Sequence, residues 1–443
     1  MVVPEWTESR KKNGLDPLGM QNSSVNLYQA LLPGISNVTL RIRYYGLYAW
    51  LASNYARNVR KTDPRIWQRY LRRAEALYAL TAQHHGNETG VAGIFWAQSK
   101  MGASDSTEFP FADDAEPGSP THYLKQPWGA YGAAYGSQLT EIGILSETAG
   151  HAIPLPSAQI GEAIADAFGL AAGNAGKRFV STMERGTASL SDLDTFGVMT
   201  PSRIGTDGEE RSLYEETLFA RGNVQRAADV SRQGSLLLIL ALARQLGRPP
   251  QTSDVRWALY ADCLSDGRKL EIPVGLKNQR QGWWVYQAND LSHICFETFL
   301  KYILDILSDH PDGLPLNVLL ARSVDDILSV DESPPDNWGA FLSRNRPHEN
   351  AWSSDSPDSD LALTEAVMKV SRREAICDGG TAWTALRLLA RIHNRMRNSE
   401  DITEKLGGFE ATNFRSILTE MRFLETHIDI PFKQMLIRLL EER

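Results

Sequence analysis

The chain has 443 residues, with 46 lysines and arginines against 54 aspartates and glutamates, and a formal net charge of −8. This length allows two or three domains, since single domains run to roughly 150 residues. The sequence contains no apolar run long enough to predict a membrane-spanning helix, and its first residues lack the apolar segment of a secretion signal. The three cysteines are far apart and odd in number, which excludes a disulfide framework. We therefore expect a reduced, cytoplasmic protein with no membrane partner.

Helical periodicity dominates the chain and predicts a mainly α, multi-helical fold. The segment 38–55 has almost no polar residue between Tyr44 and Ala52, which is typical of a buried helix. Arg41 and Arg43 stand at the start of this helix. Because buried charges need partners, we expect both arginines to be paired with carboxylates.

The next helix has clear boundary signals. Asp63 and Pro64 are typical of an N-cap and a first helical residue, and Gly86 predicts a stop after about His84. Two stretches rich in Pro, Ser and acidic residues are predicted as loops or linkers, 101–120 and 331–360. Further helices are predicted at about 189–197, 209–220, 224–246, 252–264, 281–307, 360–373, 380–398, 412–427 and 431–442.

The segment near residues 125–170 has the order helix, short strand, turn, short strand, helix, with Ser157 capping the last helix. That order fits the second half of a winged helix, a small α+β module. Its surroundings are acidic, which favours protein contact over DNA contact. The predicted domains are an N-terminal helical domain with a basic helix, the winged-helix-like module, a central helical domain and a C-terminal helical region, at 1–100, 121–200, 201–330 and 361–443.

The clearest local signal is basic, since residues 41–73 carry nine arginines and lysines against one acid, Asp63. Four arginines of the predicted helix fall within about 100° of one another on a helical wheel. We call these four the Arg stripe: Arg65, Arg69, Arg72 and Arg73. The planar guanidinium group suits phosphate, so the stripe is a candidate nucleic-acid-backbone site, with three further cations beside it, Arg57, Arg60 and Lys61. The alternative is a face that is solvated or paired with acidic protein surface.

A second signal lies on the predicted helix 281–307, where Asp290, His293 and Glu297 share one face. Carboxylates and an imidazole on one face can hold a metal or form an acid–base relay. A closed metal site would need more ligands from elsewhere. The alternative is a buried polar network that links this helix to an arginine such as Arg41 or Arg43. The sequence contains no nucleotide-binding loop, nucleophile elbow or kinase motif, which favours a non-catalytic role without cofactors.

Two segments carry a family resemblance, PLGMQNSSVNLYQALLPGISNVTLRIRYYGLYAWLASNY at 17–55 and GWWVYQANDLSHICFETFLKYIL at 282–304. They resemble an uncharacterised bacterial family with an N-terminal LxPG…RxRYYxxYxWL segment. Its members are often found in phage-defence gene clusters beside helicases, ATPases or nucleases. The resemblance covers only these two segments, and neither is a catalytic motif. It implies a helical accessory or sensor subunit of a defence complex.

Three functions remain open, in order of preference. The first is a sensor or scaffold subunit of an anti-phage complex that contacts DNA or RNA backbone through the basic helix. The second is a protein-interaction module whose basic helix docks on an acidic partner, without nucleic-acid binding. The third is a metal-dependent hydrolase or nuclease built around Asp290, His293 and Glu297. The negative net charge mildly favours protein partners.

Overall fold

The computed structural model describes residues 20–325, except for 87, 104–105, 147–152, 222–225, 316–317, 320 and 324. The protein is mainly helical, as the sequence predicts. The chain divides into two compact units: a first unit, residues 29–236, and a second unit, residues 1–28 together with 237–443. Within the described ranges, none of the helices is both long and apolar enough to cross a membrane. The helices predicted beyond residue 360 lie outside the described residues.

The first two helices are α1, Met20–Leu31, and α2, Arg43–Asn54, which continues into a π-helical turn, Tyr55–Val59. Every residue of α2 except Asn54 is buried, as its apolar sequence predicts. The tyrosines of α2 pack on one another and on later segments, and the ring centroids of Tyr44 and Tyr135 are 4.7 Å apart. The aromatic side chains of α2 therefore form the centre of the core.

Both arginines at the start of α2 are paired, and this prediction is confirmed. The Arg43 guanidinium donates to both carboxylate oxygens of Glu210, at 2.9 and 3.0 Å, and is 1% exposed. Arg41 lies 3.3 Å from the Glu88 carboxylate. These partners belong to the first unit. The suggested network that joins an arginine to the face of Asp290 involves side chains outside the described residues.

The third helix, α3, covers Pro64–His85, with the boundaries that the sequence predicts. The Asp63 carboxylate accepts a hydrogen bond from the Arg65 amide at 2.9 Å, and Gly86 ends the helix with a φ of 65°. The next helix, α4, is Ile94–Gly102. After it, the described strands are short: β1 Glu108–Pro110, β2 Leu145–Ser146, β3 Leu155–Pro156 and β4 Thr187–Ser189. The antiparallel pairs are β1 with β4 and β2 with β3.

The acidic stretch 101–120 is mostly loop, as predicted, but it is not a linker between domains. Its strand β1 pairs with β4, and Phe109, Phe111 and Ala115 are buried in the same core as α2 and α3. That core extends from Tyr44 to Tyr214. Residues assigned by sequence to the domains 1–100 and 121–200 are therefore packed together in one unit. The reason is that the polar stretch between them contains apolar side chains that are buried in the shared core.

The rest of the first unit contains a π-helical turn, Tyr131–Tyr135, and four helices: α5 Gly136–Glu141, α6 Gly161–Arg185, α7 Leu190–Phe196 and α8 Glu209–Leu218. The order α5, β2, β3, α6 follows the predicted order, and the Ser157 hydroxyl accepts from the Gly161 amide at 3.0 Å, close to the start of α6. The strands β2 and β3 have only two residues each, so the winged-helix assignment stays a prediction.

Three longer helices follow: α9 Ala227–Leu246, which spans the boundary between the units, α10 Thr252–Tyr260 and α11 Lys277–Ser308, with a short 3-10 helix, Val274–Leu276, before α11. All three correspond to helices that the sequence predicts. In the second unit, α10 packs against α11 through Tyr260 and Trp284, whose ring centroids are 6.3 Å apart. The apolar spacing of α11 places Trp284, Phe299 and Ile303 in buried positions.

Candidate nucleic-acid interface

The basic residues before the Arg stripe lie where the π-helical turn ends and α3 begins. The turn ends at Arg60, which has a φ of 53° and donates its amide to the Tyr55 carbonyl at 3.0 Å. A positive φ is uncommon outside glycine, so the chain turns sharply here. The short link to Asp63 then carries Lys61. All the cations of this region have exposed side chains: Arg57, Arg60, Lys61 and Arg65.

Three of these cations form no ion pair with any carboxylate that the structure describes: Arg60, Lys61 and Arg65. We call them the basic surface. Asp63 is next to them, but its carboxylate accepts from the Arg65 amide and not from a guanidinium group. Arg57 lies 3.5 Å from the exposed Asp166, and exposed pairs of this kind are weak. The basic surface is therefore free to meet an external anion.

The other end of the stripe is paired within the chain. The Arg69 Nε donates to the Glu116 carboxylate at 2.8 Å, and the Arg73 Nη2 lies 3.8 Å from the same carboxylate. Arg73 also donates to the Glu184 carbonyl at 3.3 Å. Glu116 follows the short strand β1 by a few residues and is brought to α3 by the buried Phe111 and Ala115. Two of the predicted phosphate contacts therefore have an internal anion.

The prediction that Arg72 faces phosphate is wrong, because this side chain is 1% exposed. Its guanidinium group donates to backbone carbonyls of Ala115, Gln126 and Leu124, at 2.6, 2.5 and 3.1 Å. It also stacks 4.9 Å from the ring centroid of Tyr123. The helical wheel places Arg72 on the correct side of α3. The segment 115–127 packs over that side and converts Arg72 into a backbone anchor.

Sequence reasoning missed Glu75, which is 0% exposed and lies one turn from Arg72. Its carboxylate accepts hydrogen bonds from the Tyr48 hydroxyl at 2.7 Å and from the amides of Ala130 and Tyr131, each at 2.8 Å. The Tyr123 hydroxyl donates to it as well. Burial raises the pKa of Glu75 to about 7, against the opposing effect of these hydrogen bonds. A lone acid among the apolar residues of an amphipathic helix is the sequence signal for such a group.

Together, Arg72 and Glu75 fix the segment 115–131 against α3. The arginine supplies donors for carbonyl groups of this segment, and the glutamate supplies acceptors for its amide groups. Buried backbone groups must find such partners, because an unpaired one is costly. This arrangement is an anchor for a loop. It removes Arg72 from the exposed part of the Arg stripe, whereas Arg60, Lys61 and Arg65 stay exposed near the start of α3.

The second predicted site is only partly within the described residues. His293 Nε2 lies 3.0 Å from the Ser24 hydroxyl and 3.0 Å from the Asn289 side-chain amide, which also donates to Ser24 at 2.8 Å. The side chains of Asp290 and Glu297 lie outside the described residues. Ser24 lies inside α1. The three described side chains form a polar contact between α1 and α11.

Metal binding at this face stays a prediction. Among the residues that the structure describes, no group of three or more histidine, cysteine and acidic side chains is arranged to hold a metal ion. The hydrolase interpretation requires Asp290 and Glu297 to join His293, and their side chains are not among those described.

Comparison with known protein families, with curated proteins and with solved structures found no match to this chain. The resemblance to phage-defence proteins, which rests on the segments 17–55 and 282–304, therefore stays a prediction.

Proposed function

We propose that this protein is an accessory subunit that contacts the nucleic-acid backbone through the basic surface. One observation carries the proposal: Arg60, Lys61 and Arg65 are exposed and have no carboxylate partner in the described part of the chain. The exposed Arg57 extends the same surface. The role is binding, and no step of chemistry is assigned to these residues.

Electrostatics supports a phosphate ligand over a neutral one. The chain has a net charge of −8, so a nucleic acid is repelled in general and attracted only where cations cluster. Each phosphate that a cation neutralises releases condensed counterions, which makes binding strong at low salt and weak at high salt. Arginine adds a planar fork of donors that matches phosphate oxygens. DNA and RNA backbones are both acceptable ligands for such a surface.

The setting that we propose is a cytoplasmic bacterial defence complex, in which the partner is a helicase, an ATPase or a nuclease. Support for this setting comes from the sequence resemblance of residues 17–55 and 282–304. In this proposal the subunit acts as a sensor or scaffold that brings nucleic acid to the partner enzyme.

Fluorescence anisotropy of labelled DNA and RNA, single-stranded and duplex, tests the binding role. The variant is the triple reversal Arg60→Glu, Lys61→Glu and Arg65→Glu. We expect it to lose at least about a hundredfold in affinity at 50 mM salt, because three counterion-releasing contacts become repulsive. The matched control reverses three other exposed cations without a described ion pair: Lys177, Arg203 and Lys277. Equal affinity of the triple reversal and its control would contradict the proposal.

A second candidate function is docking on an acidic protein. The observation that favours it is the Glu116 carboxylate, which already binds Arg69 at 2.8 Å and so shows that this helix accepts an acidic side chain. The same titration separates the two functions. A docking module would show no nucleic-acid binding at the lowest salt, and a purified acidic partner would instead be released by the triple reversal.

A further inference from the structure

Arg69 and Arg73 lie one turn apart on α3 and hold a carboxylate between them. The Glu116 Oε2 atom accepts from Arg69 Nε at 2.8 Å, and its Oε1 atom lies 3.8 Å from Arg73 Nη2. Residues four apart on a helix are neighbours on its surface, so two arginines at this spacing form a clamp for one oxyanion. We call this pair the Arg clamp. The clamp is occupied by the Glu116 carboxylate of the same chain.

The backbone that presents Glu116 is fixed, whereas the side chain has, among the described residues, no ion-pair partner outside the Arg clamp. Arg72 donates to the Ala115 carbonyl, and the Glu116 amide donates to the Asp113 carbonyl at 3.1 Å. The Glu116 side chain is 34% exposed, and that of Arg69 is 60% exposed. Exposed pairs of this kind contribute little to stability. Glu116 can therefore rotate into solvent at low cost without moving the loop.

The Glu116 carboxylate does not accept hydrogen bonds from all the donors of the Arg clamp. The Arg73 Nε atom is buried and has no hydrogen-bond partner among the described residues. The separation of 3.8 Å between Arg73 Nη2 and Glu116 is also longer than a hydrogen bond. A buried donor without a partner is unusual in a native protein and calls for an explanation. A backbone phosphodiester carries the same single charge as a carboxylate, but its tetrahedral oxygens are spaced more widely and could contact the exposed parts of both Arg69 and Arg73.

We propose that the Arg clamp is a second phosphate site, which Glu116 fills in the free protein and a nucleic-acid phosphate fills in the complex. This inference rests on the proposed function. It adds Arg69 and Arg73 to the basic surface, which lies toward the N-terminus of the same helix. The contact surface then runs along α3 from its first turn to Arg73, and Glu116 limits its use to a ligand that competes with the carboxylate.

The variant Glu116→Gln tests this competition by removing the internal anion. We expect duplex affinity to rise by on the order of tenfold at 50 mM salt, because the phosphate no longer has to displace the carboxylate from the clamp. The control is Glu108→Gln, which removes the same charge from an exposed residue of the same segment that has no described ion pair. We expect that control to change affinity by less than about twofold.

A second variant identifies the site of the gain. Arg69→Gln should weaken binding in the wild-type background, because it removes one of the two clamp donors that the phosphate uses in the complex, and should abolish the gain in the Glu116→Gln background. Thermal unfolding of each variant checks that the fold is intact. If Glu116→Gln and Glu108→Gln bind alike while the triple reversal of the basic surface still loses affinity, the clamp proposal is overturned and the proposed function stands. If no variant binds at low salt, both are overturned.

Discussion

Arg65 and Arg72 lie on the same side of α3, two turns apart, and have opposite surroundings. Arg65 is exposed and has no ion-pair partner in the described part of the chain, whereas Arg72 is 1% exposed and donates to three backbone carbonyls. The difference comes from the segment 115–127, whose carbonyl groups bind Arg72, whereas Arg65 lies in the first turn of α3 and stays exposed. The same residue type is therefore exposed at one end of the Arg stripe and a structural anchor near the other.

This difference between the ends predicts that truncating the two arginines has different effects on stability. Arg72→Ala should lower the free energy of unfolding by about 3 kcal/mol or more, because it leaves buried carbonyls without their charged donor. Arg65→Ala should change it by less than about 0.5 kcal/mol, since an exposed side chain is removed. Urea unfolding of both variants measures the two values. Equal effects would contradict the division of α3 into an anchored end and an open end.

The anchored end also depends on Gly129. This residue has a φ of 62°, and a Cβ atom there would overlap the Glu75 carboxylate and the Tyr123 hydroxyl. We expect Gly129→Ala to lower the free energy of unfolding by about 3 kcal/mol, because it strains the backbone and displaces the Glu75 carboxylate. Gly118→Ala is the control, because Gly118 has a φ of 83° but open space around its Cβ position. The Gly118→Ala variant should lose about 1 kcal/mol in free energy of unfolding, from the backbone strain alone.

The buried Glu75 predicts a pH dependence that an open helix end would not have. Burial raises its pKa to about 7 in the folded protein, above the ordinary value of 4.5 that applies when unfolded. The stabilisation from the protonated form is therefore complete below about pH 4.5 and is lost as the pH rises through about 7. We expect the free energy of unfolding to fall by about 3 kcal/mol across this window. Glu75→Gln should flatten this part of the profile, and an unchanged profile would contradict the assignment.

The helix boundaries and the paired arginines could be predicted from the sequence because their causes are local. Asp63 caps the N-terminus of α3, and Gly86 follows its last residue, so both boundary signals lie directly next to the helix. The burial of Arg43 follows from the apolar residues that come directly after it. These features need no knowledge of what packs against the helix.

The division of the Arg stripe could not be predicted, since its cause is distant in sequence. A helical wheel gives the direction of Arg72 but not the segment, more than 40 residues away, that covers it. The role of Glu75 has the same origin, because its donors come from α2 and from residues near 123–131. The number of basic residues in 41–73 is therefore larger than the number that can contact phosphate.

The most direct test of the open end is the salt dependence of nucleic-acid binding. The slope of log K against log salt should be shallower by about 2 to 3 in the triple variant Arg60→Gln, Lys61→Gln and Arg65→Gln than in the wild type, because about 0.9 is lost for each phosphate contact on duplex DNA. Neutral replacements remove the contacts without adding repulsion. An unchanged slope would show that these cations do not meet phosphate, and would contradict the proposed function.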